Sequence, residues 1–132
     1  MNKVVARYAD GRMVKGLTND FIAGKEQFHV AVVDAPPGSK PVEVQTKDLK
    51  AVFFVKDFSG NPQHRRRQEF DPKRPPTGRK IKVVFKDGEL MVGTTQGYQP
   101  GRPGFFLVPA DPEANAERCY VVAAATREIS FL

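Results

Sequence analysis

Few residues of this sequence are of the types that combine in nucleophilic catalysis. The chain has two histidines, His29 and His64, and a single cysteine, Cys119. A catalytic nucleophile needs a base that a third group holds in place, and no Ser or Cys occurs with His and acidic residues in a pattern that would supply one. Two histidines and scattered carboxylates also make a poor transition-metal site. The sequence therefore predicts a protein that is not an enzyme and has no cofactor or metal.

Basic residues are the other group that could do chemistry, by binding anions. Residues 56–82 contain nine Lys/Arg against three acidic side chains, an excess of six that equals the net charge of +6 of the whole chain. The remaining residues therefore sum to zero, so the basic character belongs to one segment. Arg/Lys clusters bind nucleic-acid phosphates without sequence preference, and they also pair with carboxylates. We predict that an anionic partner contacts five residues of this segment: Arg65, Arg66, Arg67, Lys73 and Arg74.

The same basic segment contains two phenylalanines that a pure spacer would not need, Phe58 and Phe70. They predict that residues 56–77, a Pro-containing linker, are pinned onto the rest of the protein with the arginines facing outward. A connection this long without regular structure is usually functional or disordered. The alternative interpretation is a solvated linker that binds nothing.

A repeat becomes visible when the sequence is shifted by 77 positions. Residues 1–55 then align with residues 78–132 without a gap, and ten positions are identical. The shared positions include the turn residues Asp10-Gly11 and Asp87-Gly88, and also Gly16 and Gly93, five residues after each turn glycine. Matched apolar positions accompany them. An internal duplication is therefore predicted, with units at 1–55 and 78–132.

Each unit has the pattern of short β-strands. Val4, Ala6 and Tyr8 alternate with more polar neighbours, which is typical of a half-buried strand. An Asp-Gly pair then favours a tight hairpin turn, and a glycine inside the next strand marks a bulge or bend. The predicted fold is all-β: two tandem five-stranded small barrels joined by the long basic linker.

Two phenylalanines have the wrong parity for the interior of their own barrel. Phe53 lies between Val52 and Phe54, which match inward-facing positions of the second unit, so Phe53 is predicted to face outward. The same argument applies to Phe106 in the second barrel. Large apolar side chains on an outer face indicate a buried contact. Phe53 and Phe106 are therefore predicted to form an inter-barrel contact, or a contact with another copy of the chain.

The hairpin pattern resembles the first motif of the Sm-like small barrels, a five-stranded SH3-type fold. It covers Val4–Phe21 and Ile81–Tyr98. The chain as a whole also resembles bacterial proteins of unassigned function built as paired small barrels. The resemblance implies the fold but carries no RNA site. Sm-like proteins bind RNA through a loop with an Asp and an Asn, whereas residues 22–25 and 99–102 contain neither.

The sequence therefore predicts a non-enzymatic binding or regulatory module, most simply a protein-interaction adaptor whose partner has an acidic surface. RNA or other nucleic-acid binding through the basic linker is the alternative, and a homo-oligomer is possible. No apolar run approaches the ~20 residues that a membrane helix needs, and with one cysteine the expected compartment is the reducing cytoplasm.

Overall fold

The structure is a computed structural model that describes residues 1–59, 69–70, 72–73 and 78–132. The described residues form ten β-strands and two short 3₁₀ turns, at Thr46–Asp48 and Ala123–Ala125. None of the helical segments in this part of the chain has the length and apolar character needed to cross a membrane. The strands are β1 (Asn2–Tyr8), β2 (Met13–Thr18), β3 (Gln27–Val32), β4 (Val42–Gln45), β5 (Leu49–Val55), β6 (Arg79–Phe85), β7 (Leu90–Thr95), β8 (Gly104–Pro109), β9 (Ala116–Val122) and β10 (Thr126–Phe131).

All ten strands belong to one antiparallel sheet in the order β10-β6-β7-β8-β9-β5-β1-β2-β3-β4. The predicted all-β class is confirmed. Two separate five-stranded barrels are not confirmed, because the sheet is continuous and is not closed in the described part of the chain. The physical reason is that β9, from the other half of the chain, occupies the hydrogen-bonding edge of β5 that would otherwise close the first barrel. Strands β10 and β4 are left as the two outer strands of the sheet.

The first half (residues 1–55) and the second half (residues 78–132) have the same internal strand order, with the fifth strand followed by the first, second, third and fourth. The second strands are also alike in detail. Gly16 lies opposite Val32, and Gly93 lies opposite Pro109. A Cβ at either glycine would lie 2.1 Å from a carbonyl oxygen of the next strand, that of Ala31 or Val108. Only glycine allows this close approach of two backbones.

The two hydrophobic cores lie on opposite faces of the sheet. The first core contains Phe54 together with Tyr120 from the second half. The second core contains Phe85 together with Phe53 from the first half. Successive side chains of a strand point to opposite faces, so neighbouring residues of β5 contribute to different cores. Each core is therefore completed by side chains of the other half.

Candidate functional site

The junction between the halves is formed by β5 and β9, whose register places Val52 opposite Tyr120 and Phe53 opposite Cys119. Phe53 is 8 % exposed and lies in the second core. Phe106 is half-buried, and its ring centroid lies 5.4 Å from that of Tyr120 and 6.0 Å from that of Phe54. The two phenylalanines singled out in the sequence thus both lie beside the junction, but on opposite faces of the sheet.

A buried lysine links the halves at one end of the junction. Lys50, at 8 % exposure, donates a hydrogen bond to Asp87 (Nζ to Oδ2, 2.6 Å) and another to Glu89. Its ammonium also lies 4.8 Å from the centroid of the Phe85 ring. The hydrogen bond from Lys50 is the main reason that the pKa of the Asp87 carboxyl is lowered from its usual value. The lysine therefore connects β5 with the hairpin between β6 and β7.

A cleft of about 510 Å³ opens beside the same junction. It combines apolar side chains with basic ones, which is the usual composition of a binding groove. Carboxylates also line it, and two of them are engaged within the protein: Asp57 accepts hydrogen bonds from Ser59, and Glu89 accepts one from Lys50. The apolar lining comes from Val5, Phe53 and Val55, and the basic lining from Arg7, Lys15 and Lys56.

The beginning of the basic segment forms one wall of this cleft. The backbone N–H of Asp57 donates to Oδ1 of Asn115 (3.1 Å), and Nδ2 of Asn115 donates back to the carbonyl of Asp57 (2.7 Å). Nζ of Lys15 donates to the carbonyl of Phe58 (3.3 Å), and Phe58 is half-buried. Residues 56–59 are thus held between β2 and the loop that precedes β9, and the chain leaves the sheet from this wall.

The predicted anionic-partner cluster falls mostly outside the part of the chain that the structure describes. Arg65, Arg66, Arg67 and Arg74 are among the residues not described, so their contact role stays a prediction. Lys73 is described and is exposed. Phe70 is half-buried, and the ammonium of Lys80 lies 4.8 Å from the centroid of its ring.

Two of the residues considered for catalysis, Cys119 and His29, are described, and they lie in different surroundings. Cys119 is fully buried beside Phe53, and His64 lies outside the described residues. Nδ1 of His29 lies 2.7 Å from Oδ2 of Asp20. The backbone N–H of His29 is the main donor that lowers the pKa of Asp20 to about 2. Within the described ranges, no group of three or more His, Cys, Asp or Glu side chains could hold a metal ion.

Sequence reasoning missed the cleft and Lys50. The only signal for Lys50 was a single charged residue at the start of an otherwise apolar strand, in LKAVFFV. A cleft between strands that are about 50 residues apart has no local signature, since it depends on which edges pair.

The comparisons with known proteins give one assignment. A family model matches residues 1–132, the whole chain, and its description is a family of unknown function, DUF6982. The chain belongs to the DUF6982 family. No curated protein and no solved structure matches the chain. The function of this family member is therefore inferred from the geometry of the junction.

Proposed function

We propose that this protein is a non-enzymatic binding module that takes an acidic segment of a partner protein in the junction cleft and along the adjacent basic segment. One observation carries the proposal. The segment that contains the whole net charge excess begins at a cleft whose lining includes apolar side chains. Apolar residues supply contact area, and basic residues at the rim select and steer an acidic partner.

The cleft is lined by three basic and three acidic side chains, so its formal charges cancel. The preference for an acidic ligand comes from the adjacent basic segment, whose excess is +6. The acidic lining residues are Asp57, Glu89 and Glu113. Arg7 and Lys56 are exposed, and Lys15 is half-buried. The carboxylates of Asp57 and Glu89 already accept hydrogen bonds from Ser59 and Lys50. An incoming carboxylate would therefore meet exposed cations in the cleft, where two of the three carboxylates are already partly compensated.

Nucleic acid is the second candidate, and the basic segment favours it. The described end of that segment contains Arg79, Lys80 and Lys82 on the single strand β6. Lys80 and Lys82 share one face of β6 by strand parity. Cations bind phosphates without sequence preference, and such binding falls steeply with salt.

We propose that each half is a small open barrel of the Sm- or SH3-like kind, that the two arose by duplication, and that residues 56–77 form the linker. The same strand order in both halves and the equivalent positions of Gly16 and Gly93 support this. Small barrels of this kind host many functions, so the fold does not choose among partners. A cytoplasmic location remains part of the proposal.

The test is a selection of random peptides on the immobilised protein, followed by binding titrations of the selected peptides and of mixed-sequence RNA and DNA 20-mers. We expect the selected peptides to be rich in Asp and Glu. Arg7→Gln with Lys15→Gln should weaken their binding about tenfold, and the triple Arg65→Ser, Arg66→Ser, Arg67→Ser variant should weaken it further. Raising the salt concentration should mimic both changes by screening.

The matched control is Lys25→Gln with Lys40→Gln, which removes two exposed cations elsewhere on the first half and should change peptide binding less than twofold. Peptides without acidic residues, or binding that the cleft variant leaves intact, would contradict the proposal. Strong, salt-sensitive binding of the oligonucleotides with no peptide selected would assign the nucleic-acid function instead.

A further inference from the structure

The two outer strands of the sheet correspond to the two strands that pair at the junction. By the 77-residue shift, β10 corresponds to β5 and β4 corresponds to β9. Among the described residues β10 pairs only with β6, and β4 only with β3. The contact of β9 with β5 is therefore a template, within the same molecule, for a strand that would pair with β10.

The edge of β10 that faces away from β6 has the same backbone hydrogen-bonding groups that β5 uses to pair with β9. The backbone N–H of Leu132 donates to Lys80 of β6 (3.0 Å). Because the N–H and C=O groups of successive strand residues alternate in direction, those of Ile129 and Phe131 point away from β6. At the junction, the equivalent residues Val52 and Phe54 lie opposite Tyr120 and Arg118.

The core-facing side chains of β10 are more exposed to solvent than their equivalents in β5. Val52 is fully buried and Phe54 is 5 % exposed. Their equivalents are more open: Ile129 is half-buried and Phe131 is 36 % exposed. Phe54 is covered by the guanidinium of Arg118, 4.3 Å from the ring centroid. In the part of the chain that the structure describes, no strand follows β10 beside the second core, whereas β9 follows β5 beside the first core.

Two arginines flank this open side. The guanidinium of Arg79 lies 3.6 Å from the centroid of the Phe131 ring, and Arg127 is exposed one residue before Glu128. Arg79, Ile129 and Phe131 share the core face by strand parity. Arg127 lies at the register shift between Thr126 and Glu128, where this alternation is interrupted. A strand added here would run along this apolar pair, with Arg79 beside Phe131 at one end and Arg127 at the irregular start of β10 at the other.

We propose that the edge of β10 binds an extended acidic segment of a partner protein as an eleventh, antiparallel strand. Its central residue, opposite Ile129, is aromatic or large and aliphatic, as Tyr120 is opposite Val52. Acidic residues two positions to either side pair with Arg79 and Arg127. Main-chain hydrogen bonds would supply affinity and the alternating side chains specificity, as in other cases of strand addition. This surface lies apart from the junction cleft and is tested with different variants.

A second copy of the chain fits this edge less well. The N–H of Thr46 donates to Glu26 on the β3 side (2.9 Å), so positions 45, 43 and 41 point to the free edge of β4. Pro41 has no N–H there, and proline on an outer strand discourages further pairing. The template also needs a large apolar residue where β4 has Glu43. Two β10 strands related by a two-fold axis would bring the arginines of both copies together.

The probe is a synthetic peptide spanning residues 115–124 with Arg118→Glu, Cys119→Ser and Val122→Glu, which keeps Tyr120 at its centre. Amide hydrogen exchange is followed by NMR on the intact chain. Without peptide, the amides of Ile129 and Phe131 should exchange quickly and those of Ser130 and Leu132 slowly. Saturating peptide should slow exchange at Ile129 and Phe131 about tenfold or more, since only a paired strand protects alternate residues.

Control peptides carry Tyr120→Pro, or Lys in place of both introduced acids, and should bind at least about tenfold more weakly. In the protein, Ile129→Pro removes an outward donor and should abolish binding. Arg127→Glu keeps every core residue and should weaken the acidic probe about tenfold while improving the Lys-containing one. Lys40→Glu, an exposed change just before β4 at the other end of the sheet, should leave the binding of both peptides unchanged. Binding in the junction cleft should survive Arg127→Glu.

Three results would overturn the proposal. The first is a peptide that leaves Ile129 and Phe131 unprotected even at millimolar concentration. The second is equal binding of the acidic and Tyr120→Pro peptides. The third is a concentration-dependent dimer that protects Ile129 and Phe131 without peptide, which would make a second copy the occupant.

Discussion

The fifth strands of the two halves, β5 and β10, occupy the same place in the strand order but have different surroundings. In β5 both faces are buried, since Phe54 packs in the first core and Phe53 in the second. In β10 the residue equivalent to Phe53 is Ser130, and Phe131 is 36 % exposed. At the position that faces away from its own half, β5 thus has the apolar Phe53, which the other half covers, and β10 has the polar Ser130.

The fourth strands show the same difference. Tyr120 of β9 is 1 % exposed and packs in the first core, whereas its equivalent in β4, Glu43, is exposed. Phe106 packs against Tyr120, and its equivalent, His29, hydrogen-bonds with Asp20. The two halves thus share one strand order, but among the described residues only β5 and β9 pair across the halves and carry apolar side chains suited to that contact.

The largest loss of stability is expected at Gly16 and Gly93, which occupy the same position in the two halves. Gly16→Ala and Gly93→Ala each place a Cβ about 2 Å from a carbonyl oxygen of the next strand, so two strands must separate. Each substitution should lower the free energy of unfolding by about 4 kcal/mol or more, as measured by denaturant titration. Gly97→Ala, with open space around the added carbon, is the control. A small loss at only one of Gly16 and Gly93 would break the equivalence of the halves.

Removing the side chain at equivalent positions should destabilise the protein much more in β5 than in β10. Phe53→Ala removes a ring buried at the junction and should cost about 3 kcal/mol. Ser130→Ala, at the equivalent position, should change stability by less than about 0.5 kcal/mol. Thermal or denaturant unfolding of the two variants measures both values. Equal midpoints would mean that the face bearing Phe53 is open to water.

A moderate effect is expected from the lysine that links the halves. Lys50→Met leaves Asp87 and Glu89 without their buried partner and should cost about 1–2 kcal/mol, because these carboxylates are partly open to solvent, at 52 % and 38 % exposure. Arg127→Met, at the equivalent exposed position, should cost almost nothing. If Lys50→Met unfolds at the parent's denaturant concentration, the ion pairs do not hold the halves together.

The smallest effect is expected at Asp20, whose equivalent in the second half is Gly97. The folded-state pKa of Asp20 is lowered to about 2 from an ordinary value of 3.8. Its hydrogen bonds to His29 therefore stabilise the fold above about pH 4, and this stabilisation is lost as the pH falls toward 2. Asp20→Asn should flatten the pH dependence of the unfolding free energy in this window by less than about 1 kcal/mol. An unchanged pH profile would remove Asp20 from the acid response.

Local signals in the sequence predicted most of the strands. The alternating residues Val4, Ala6 and Tyr8 lie in β1 (Asn2–Tyr8), and the Asp10-Gly11 pair lies in the turn between β1 and β2. Alternation of apolar and polar residues and Asp-Gly turns act over a few residues, so they can be recognised without a partner. The outward parity of Phe53 also followed from this alternation.

The sequence by itself thus determined the strands, the turns, the glycines that allow close strand approach and the position of the charge excess. Only the tertiary structure decided that β5 pairs with β9 rather than closing its own half, that Lys50 reaches the other half, and that the basic segment begins at a cleft. The physical reason is that a strand edge presents the same backbone groups whatever its residues are. The choice of partner therefore depends on how side chains far apart in the chain cover one another, and no local pattern records that.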